Sequence, residues 1–549
     1  MRENAQRTLR FPLVVLIDGH LLLGVTVVKW VDIFYKDNSD TKRELEQLKM
    51  KTRVRESRDF VTALVYISLF LDNVLLTVIV PILPDFLAQS SDVSLPENIS
   101  TFNVPNGMLY TKTFDLHYVP NMLRKHPLAG SNVVNLTQIS LATAATARKV
   151  NLDEENVSIG ILLAVKALVQ LIFNPIVGGS TAKFGYRIPI VFGTFNILLA
   201  ALVFAIGDNY ISLVFARAVQ GIGSACIGVC GMSLVAQLYP EEDKRSRIMG
   251  IVLGSVALGV LVGYPVGGCL YDFVGKAAPF YIVSIFIGVD LLLQCKFLEL
   301  IVPVENLEDS SDNNTATWWP LLTDVVVFMV VLAICISTST MAILEPCLPI
   351  WLLTNLNPKK WQLGTVFIPD SVGYLLGTNF FGKVAYQIGQ IKISVFALIL
   401  VGLSSILIPS ASSVWSLMLP HFGLGLGIGI LDAALVPFLA TYVDQKYGDF
   451  EGAAGESFSN YGAIYAIQQM AVSLAYSFGP LLGGELAKVL GFPWLMRSMG
   501  SINCLYGPIL LFITSRINLQ GTLIKSKDVL LNTGEDANHD YKRFYNSID

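Results

Sequence analysis

The chain has 549 residues, of which 53% are hydrophobic and only 15% charged, with a formal net charge of −4 and a mean hydropathy of +0.58. A soluble globular domain typically carries about 25% charged residues, so the composition excludes an ordinary soluble domain. It also offers no basic surface for nucleic acid, and what remains is a polytopic, all-α membrane protein.

The first apolar stretch, Phe11 to Trp30, holds Asp18 and His20. It reads as an interfacial or poorly ordered segment rather than a cleavable signal. A thirteenth span or signal anchor is the alternative, and a thirteenth span would put the N-terminus outside. The first full span falls near 60–88, "LFLDNVLLTVIVPILPDF" (Leu69 to Phe86) being its centre. Others of about 20 residues are expected near 157–180, 188–207, 209–237, 248–270, 278–302, 320–350, 364–388, 392–411, 413–442, 461–486 and 493–514. Gly and Pro are frequent inside them, as membrane helices tolerate. The expected organisation is a cytosolic segment 1–59, six helices over 60–303, a cytosolic loop 304–319, six more helices over 320–515, and a cytosolic tail 516–549.

The polar loop 89–156 carries sequons at Asn98, Asn135 and Asn156. Asn98 and Asn135 are the expected glycosylation sites, and Asn156 lies too near the membrane. Basic residues mark the opposite side: Lys183 and Arg187, "KRSR" at Lys244 to Arg247, then Lys383 and Lys392. The positive-inside rule places both termini in the cytosol, the 89–156 loop being too long for its own charges to count. "GGSTAKFGYR" (Gly178 to Arg187) and "GKVAYQIGQI" (Gly382 to Ile391) hold equivalent places in the two sets of six. Such a repeat is common among transporters.

Charges interrupt the apolar runs, among them Asp72, Lys166, Arg217, Asp290, Glu345 and Asp432. A charge at the centre of a spanning helix costs about 2.5–3.5 kcal/mol on insertion scales and nearly always faces the bundle interior, a partner or a water-filled cavity. At 1.5 Å per residue, Asp72, Lys166 and Asp432 fall near the midplane. Ion pairs that only hold helices together would explain some of the set. Acids outnumber their possible partners, however, and buried pairs add little net stability. An unpaired acid in a midplane cavity can bind a cation or a proton, because burial and neighbouring charge move its proton affinity in opposite directions. In "GIVLGSVALGVLVGYPVGG" (Gly250 to Gly268), glycines including Gly259 and Gly263 are expected along one strip that lets helices approach closely and rock, with Pro265 adding a bend. The seven cysteines make no CxxC or Cys/His metal pattern, and no zinc, Walker or nucleophile-elbow motif is present. No metal, no cofactor and no enzyme activity are expected.

These segments resemble the major facilitator superfamily. "RAVQGIGSA" (Arg217 to Ala225) is similar to its fourth-helix motif, and the fifth-helix glycine run to its antiporter motif, with Gly263-Tyr264 where Gly-Pro is usual. Within it, "LDNVLLTVIVPILPDF", "KALVQLIFNPIVG", "MAILEPCLPIW", "KWQLGTVFIPDSVGYLLGTN", "GIGILDAALVP" and "YAIQQMAVSLAYSFGPLLGG" resemble the vesicular amine transporters over residues 60–515. The resemblance implies twelve helices in two six-helix bundles and proton-coupled antiport of a cationic amine into vesicles, driven by the proton gradient. It implies substrate-site roles for Asp72, Glu345, Tyr374 and Tyr476. Asp432 and Lys166, with Asp72 and Glu345, would serve proton coupling, and Arg217 a structural or gating role. The partners implied are the amine, protons and membrane lipid; "KSKDVLL" (Lys525 to Leu531) and "YKRF" (Tyr541 to Phe544) are candidate signals for sorting adaptors.

The departures are specific. The family pairs its second-helix lysine with an eleventh-helix aspartate, but that position here is Gln469, so Lys166 needs another partner, Asp72 or Asp432, or must lose its proton. The family's lumenal disulfide has no cysteine in 89–156, and Thr338 replaces a seventh-helix Asn. The chain therefore reads as a divergent member. A cell-surface exporter of drugs or polyamines, or a non-transporting sensor or scaffold on the same fold, are the alternative functions.

Overall fold

The computed structural model describes residues 39–79, 160–301 except 163, 182 and 208, 318–356, 358, 362, 365–447 and 456–516. The segment 11–30, the loop with Asn98 and Asn135, most of 304–319 and the tail lie outside the described residues. Met1–Val61 and Thr62–Asp549 are separate compact units, and the helix packing below belongs to the second.

Among the described residues, twelve long helices follow one another. They are α1 (Ser39–Val78), α2 (Gly160–Thr181), α3 (Arg187–Ile206), α4 (Tyr210–Leu238), α5 (Glu242–Val274), α6 (Ala278–Ile301), α7 (Val325–Asn355), α8 (Ile368–Ile388), α9 (Gln390–Leu407), α10 (Val414–Tyr447), α11 (Glu456–Leu490) and α12 (Phe492–Arg516). Each overlaps a span read from the sequence, although α1 begins well before the first of them, within the segment 1–59. Ten described helices are long and apolar enough to cross a membrane. The other two long helices, α8 and α11, are more polar, and they carry Asp370, Tyr374, Gln468, Gln469 and Tyr476.

Helix contacts repeat with a period of six. Gly259 and Gly263 of α5 sit against α1 at Phe70–Thr77, and Gly479 and Gly483 of α11 sit against α7 at Ala342 and Ile343. Gly221 of α4 meets the Lys166 carbonyl of α2, as Gly429 of α10 meets the Tyr374 carbonyl of α8. Turns repeat too. Gly185 (φ +64°) and Gly389 (φ +112°) close the α2–α3 and α8–α9 connections, and Gly275 (φ +117°) and Gly491 (φ +81°) close α5–α6 and α11–α12. A left-handed φ is costly for any residue with a Cβ, which explains the paired glycines.

The repeated decapeptides acquire a physical meaning here. The last glycine of each makes the turn, and the first makes a close crossing between the two sets of helices: Gly178 against Gly462 and Ala466 of α11, Gly382 against Ser246 of α5. Ser246 Oγ also donates to the Gly382 carbonyl (2.7 Å).

The fifth-helix glycines do not form one strip. Gly250 and Gly254 face Thr378 and Asn379 of α8, whereas Gly259, Gly263 and Gly267 face α1. The five-residue step from 254 to 259 rotates the direction by about 140° at 3.6 residues per turn. Gly259 and Gly263 therefore pack within the first set of helices, and Gly250 and Gly254 serve the crossing between sets. The helix α5 continues through Pro265.

A Cβ at Gly259 would lie 2.6 Å from the Phe70 carbonyl oxygen, whereas one at Gly288 meets nothing within 4 Å. Gly259→Val should destabilise the detergent-solubilised protein by about 1–3 kcal/mol, seen as a lowered melting temperature. Gly288→Val should leave it close to wild type.

Candidate functional site

Asp72 sits on α1 among donors from two other helices. Its Oδ2 accepts from Lys166 Nζ of α2 (3.2 Å) and Ser224 Oγ of α4 (2.7 Å), and its Oδ1 from Gln220 Nε2 (2.9 Å). Asp72 is 5% and Lys166 8% exposed. Arg217, fully buried, donates to Gln220 Oε1 (2.8 Å) and to the Leu76 carbonyl (2.9 Å) and lies over the Phe204 ring. Lys166 thus takes Asp72 rather than Asp432 as its partner. Gln469 lies against Gly228, one turn beyond Ser224 on α4, at the contact of α4 with α11.

The second set of helices contributes three further acids, Asp432, Glu345 and Asp370. Tyr374 donates to Asp432 Oδ2 (2.8 Å), and Asp432 Oδ1 has no partner. Tyr476 lies beside Glu345. Asp370, on the same face of α8 as Tyr374 one turn earlier, is buried close enough to Glu345 for the carboxyls to repel. Tyr264 of α5 comes near Glu345, Asp370 and Arg217, and its ring stacks on Phe367 at 6.3 Å. Among the described residues none of these three acids makes an ion pair. The arrangement can therefore accept positive charge, as an organic cation or as protons.

One end of the assembly is fastened across the two sets of helices. Arg245, in the first turn of α5 and 1% exposed, pairs with Asp444 of α10 (2.7 Å) and donates to Thr441 (2.9 Å) and to Tyr461 of α11 (3.2 Å). Tyr461 donates to Asp444 in turn (2.6 Å). One turn deeper, Tyr465 reaches the Met249 sulfur (3.3 Å). The basic run "KRSR" thus divides: Lys244 and Arg247 are exposed, but Arg245 is drawn inward by a carboxylate 199 residues away.

Of the residues singled out by sequence, Asp72, Lys166 and Arg217 come together on one side, and Glu345, Tyr374, Tyr476 and Asp432 gather on the other. Asp290 belongs to neither group. Sequence reading missed Gln220, Ser224, Tyr264, Asp370 and the Arg245–Asp444 pair. Asp370 carried a usable signal, an acid following Pro369 at a helix start within an otherwise apolar span. The partners of Arg245 left none, because their proximity is purely tertiary.

The sequence profile of the Major Facilitator Superfamily matches residues 62–454 and 330–528. The chain is 35% identical over 486 residues to the synaptic vesicular amine transporter of Homo sapiens, covering 86% of this chain and 91% of that protein. It is 36% identical over 474 residues to the chromaffin granule amine transporter of Rattus norvegicus, covering 84% and 88%. It is 32% identical over 490 residues to the vesicular acetylcholine transporter of Torpedo torpedo, covering 88% and 86%. The crystal structure of the human organic anion transporter MFSD10 (TETRAN) superposes with a TM-score of 0.61 over 82% of this chain and 99% of that one, at 15% identity. That similarity bears on the fold alone.

The Lys166–Asp72 pair makes a stability prediction. Removing one member of a buried pair strands the other at a cost of about 3–5 kcal/mol, whereas removing both is far cheaper. Lys166→Met should lower the melting temperature sharply, and the double variant Lys166→Met/Asp72→Asn should recover most of the loss.

Proposed function

The chain belongs to the Major Facilitator Superfamily and, within it, to the vesicular amine transporters; from that premise we propose that it loads a cationic amine into vesicles in exchange for protons. The observation that carries this reading is the unequal charge of the two half-sites. Asp72 is matched by Lys166, while Glu345, Asp370 and Asp432 make no ion pair among the described residues. A protonated amine can bridge the two sides, pairing with Asp72 in place of Lys166 while Glu345, Tyr374 and Tyr476 hold it from the opposite wall. Aromatic faces near a cation add about 0.5–2 kcal/mol.

With both termini placed in the cytosol, the Arg245–Asp444 end faces the cytosol, and the conformation described is fastened there. Protons from the acidic lumen neutralise Asp432 and the Glu345–Asp370 pair, which weakens their hold on the cation and releases it. Return of the proton-loaded form separates Arg245 from Asp444 and opens the site to the cytosol, where the protons leave and the next amine enters. The close crossings at Gly178, Gly250, Gly254 and Gly382 are the surfaces on which the two sets of helices would rock. The fully buried Arg217 fixes α4 to α1 through Gln220 and Leu76. Gln469 removes one titrating group relative to the family pattern, so the proton count is this chain's own. The loop sequons Asn98 and Asn135 would be glycosylated in the lumen, and the tail would hold the signals for sorting adaptors.

The test is uptake of a panel of radiolabelled amines by acidified vesicles bearing the full chain, with and without a proton ionophore. One amine should accumulate, and the ionophore should abolish it. Uptake that ignores the ionophore would favour a passive facilitator instead. Asp72→Asn should cut driven uptake about 100-fold or more, the equivalent of losing about 3 kcal/mol or more from a buried charge contact. Wild-type rates in that variant, with matched protein in the membrane, would remove Asp72 from the substrate site.

A further inference from the structure

Asp290 stands apart from the site described above. It lies on α6, 2% exposed, and faces α1. Its Oδ2 accepts from Ser68 Oγ of α1 (2.8 Å) and from Gln294 Nε2 one turn along α6 (2.8 Å); Gln294 Nε2 also reaches Ser68 Oγ (2.8 Å). Two buried acceptors in this group have no partner: Asp290 Oδ1 and Gln294 Oε1.

No cation compensates it among the described residues. The helix α6 packs on α3 and α5 and touches α1 through Ser68. On α3 the one charged residue is Arg187, at its start. On α5 the charges Glu242, Asp243, Lys244, Arg245 and Arg247 occupy the first two turns, and Asp272 the last, with Tyr264, Cys269 and Tyr271 the other titratable groups. On α6 itself the titratable groups are Tyr281, Cys295, Lys296 and Glu299, and Lys296 lies over the Phe297 ring. On α1 from residue 58 onward the charged and titratable groups are Arg58, Asp59, Tyr66 and Asp72, the last one turn beyond Ser68 and already held by Lys166. An ionised carboxylate in this position would be a buried, uncompensated charge, which proteins avoid by neutralisation.

A single proton resolves every one of these defects. Placed on Asp290 Oδ1, it can be donated to Gln294 Oε1 while Gln294 Nε2–H continues to donate to Oδ2. The result is the cyclic acid–amide pair, and it satisfies the two orphaned atoms together. We propose that Asp290 is a proton-binding site of the first set of helices, occupied in this conformation by a proton shared with Gln294 and linked through Ser68 to α1 and so to Asp72. Movement of α1 that withdraws Ser68 and admits water would release the proton. Asp290 is then a positioning residue that ties proton occupancy to the placement of the helix carrying Asp72. This deepens the antiport reading and rests on it for its role in transport, though not for the presence of the proton.

Two measurements on the full chain in liposomes separate these parts. Infrared spectra in H2O and D2O should show a protonated-carboxyl band in wild type that Asp290→Asn lacks and Ser68→Ala keeps. Proton-driven amine uptake should then be compared with amine–amine exchange, which needs no net proton transfer, in the same liposomes. If Asp290 carries one of the exchanged protons, Asp290→Asn lowers the ratio of driven accumulation to exchange by about tenfold for each pH unit across the membrane. Ser68→Ala should lower the same ratio while leaving the infrared band in place, a separation that loss of folding would not produce. Identical carboxyl bands in wild type and Asp290→Asn would overturn the proton site. An unchanged ratio in both variants would overturn its link to α1. Wild-type protein that shows no ionophore-sensitive uptake would instead sink the antiport reading, and the infrared comparison would still decide whether Asp290 holds a proton.

Discussion

A carboxylate buried among apolar helices has no water to satisfy it, so the protein must supply whatever compensates its charge. This chain does so in different ways, and each leaves a distinct mark. Asp72 is met by a lysine and two neutral donors from neighbouring helices, and nothing about it is left unsatisfied. Asp432 has one tyrosine hydroxyl and one bare oxygen. Asp324 spends its lone pairs on the first amides of α7 and on Tyr442 and Lys446 at the end of α10. Complete compensation fixes helices to one another. Incomplete compensation leaves a group ready to take up a proton or a cation.

Those encounters depend on how closely the helices approach, and glycine sets that distance. Where α5 meets α1, where α2 meets α11 and where α8 meets α10, the backbones are near enough that a Cβ would collide with a carbonyl oxygen. Short side chains can then span the gap. Ser224 reaches Asp72, and Ser246 reaches the Gly382 carbonyl. In a membrane, where apolar burial drives helix association little, such contacts are a principal source of cohesion. They also divide by role: the α1–α5 and α7–α11 contacts hold each set of helices together, and the α2–α11 and α5–α8 contacts join the two.

Much of this was legible in the sequence, because hydropathy and length locate spans and the two decapeptides carry the repeat. The intramembrane charges were legible for the same reason, since each interrupts an apolar run. What failed was direction. The glycines of α5 looked like one strip, but the step from Gly254 to Gly259 turns them onto different neighbours. Lys244, Arg245 and Arg247 are indistinguishable as sequence; only the fold brings Asp444 and Tyr461 to the middle one. Asp370 escaped notice because it opens a helix, where an acid is ordinary, and its significance comes from the nearness of Glu345.

The substitution at Gln469 shows how far one residue can reach. By the family pattern an acid at position 469 would pair with the second-helix lysine; the amide that stands there carries no charge to do so. Lys166 pairs with Asp72, and with the buried Arg217 beside them the first half-site already holds two cations to one carboxylate. On the proposed reading, an arriving ammonium would replace one cation by another at the same carboxylate, and its affinity would be a difference between two similar interactions rather than the worth of either. In the second set of helices Glu345, Asp370 and Asp432 carry no competing cation among the described residues, and Tyr264, in place of the proline usual to the motif, brings a large ring near Glu345 and Asp370. The differences from the family pattern thus fall on both sets of helices. On one side a charge is lost and an internal ion pair takes its place; on the other, carboxyls and an aromatic ring stand without a cation among the described residues.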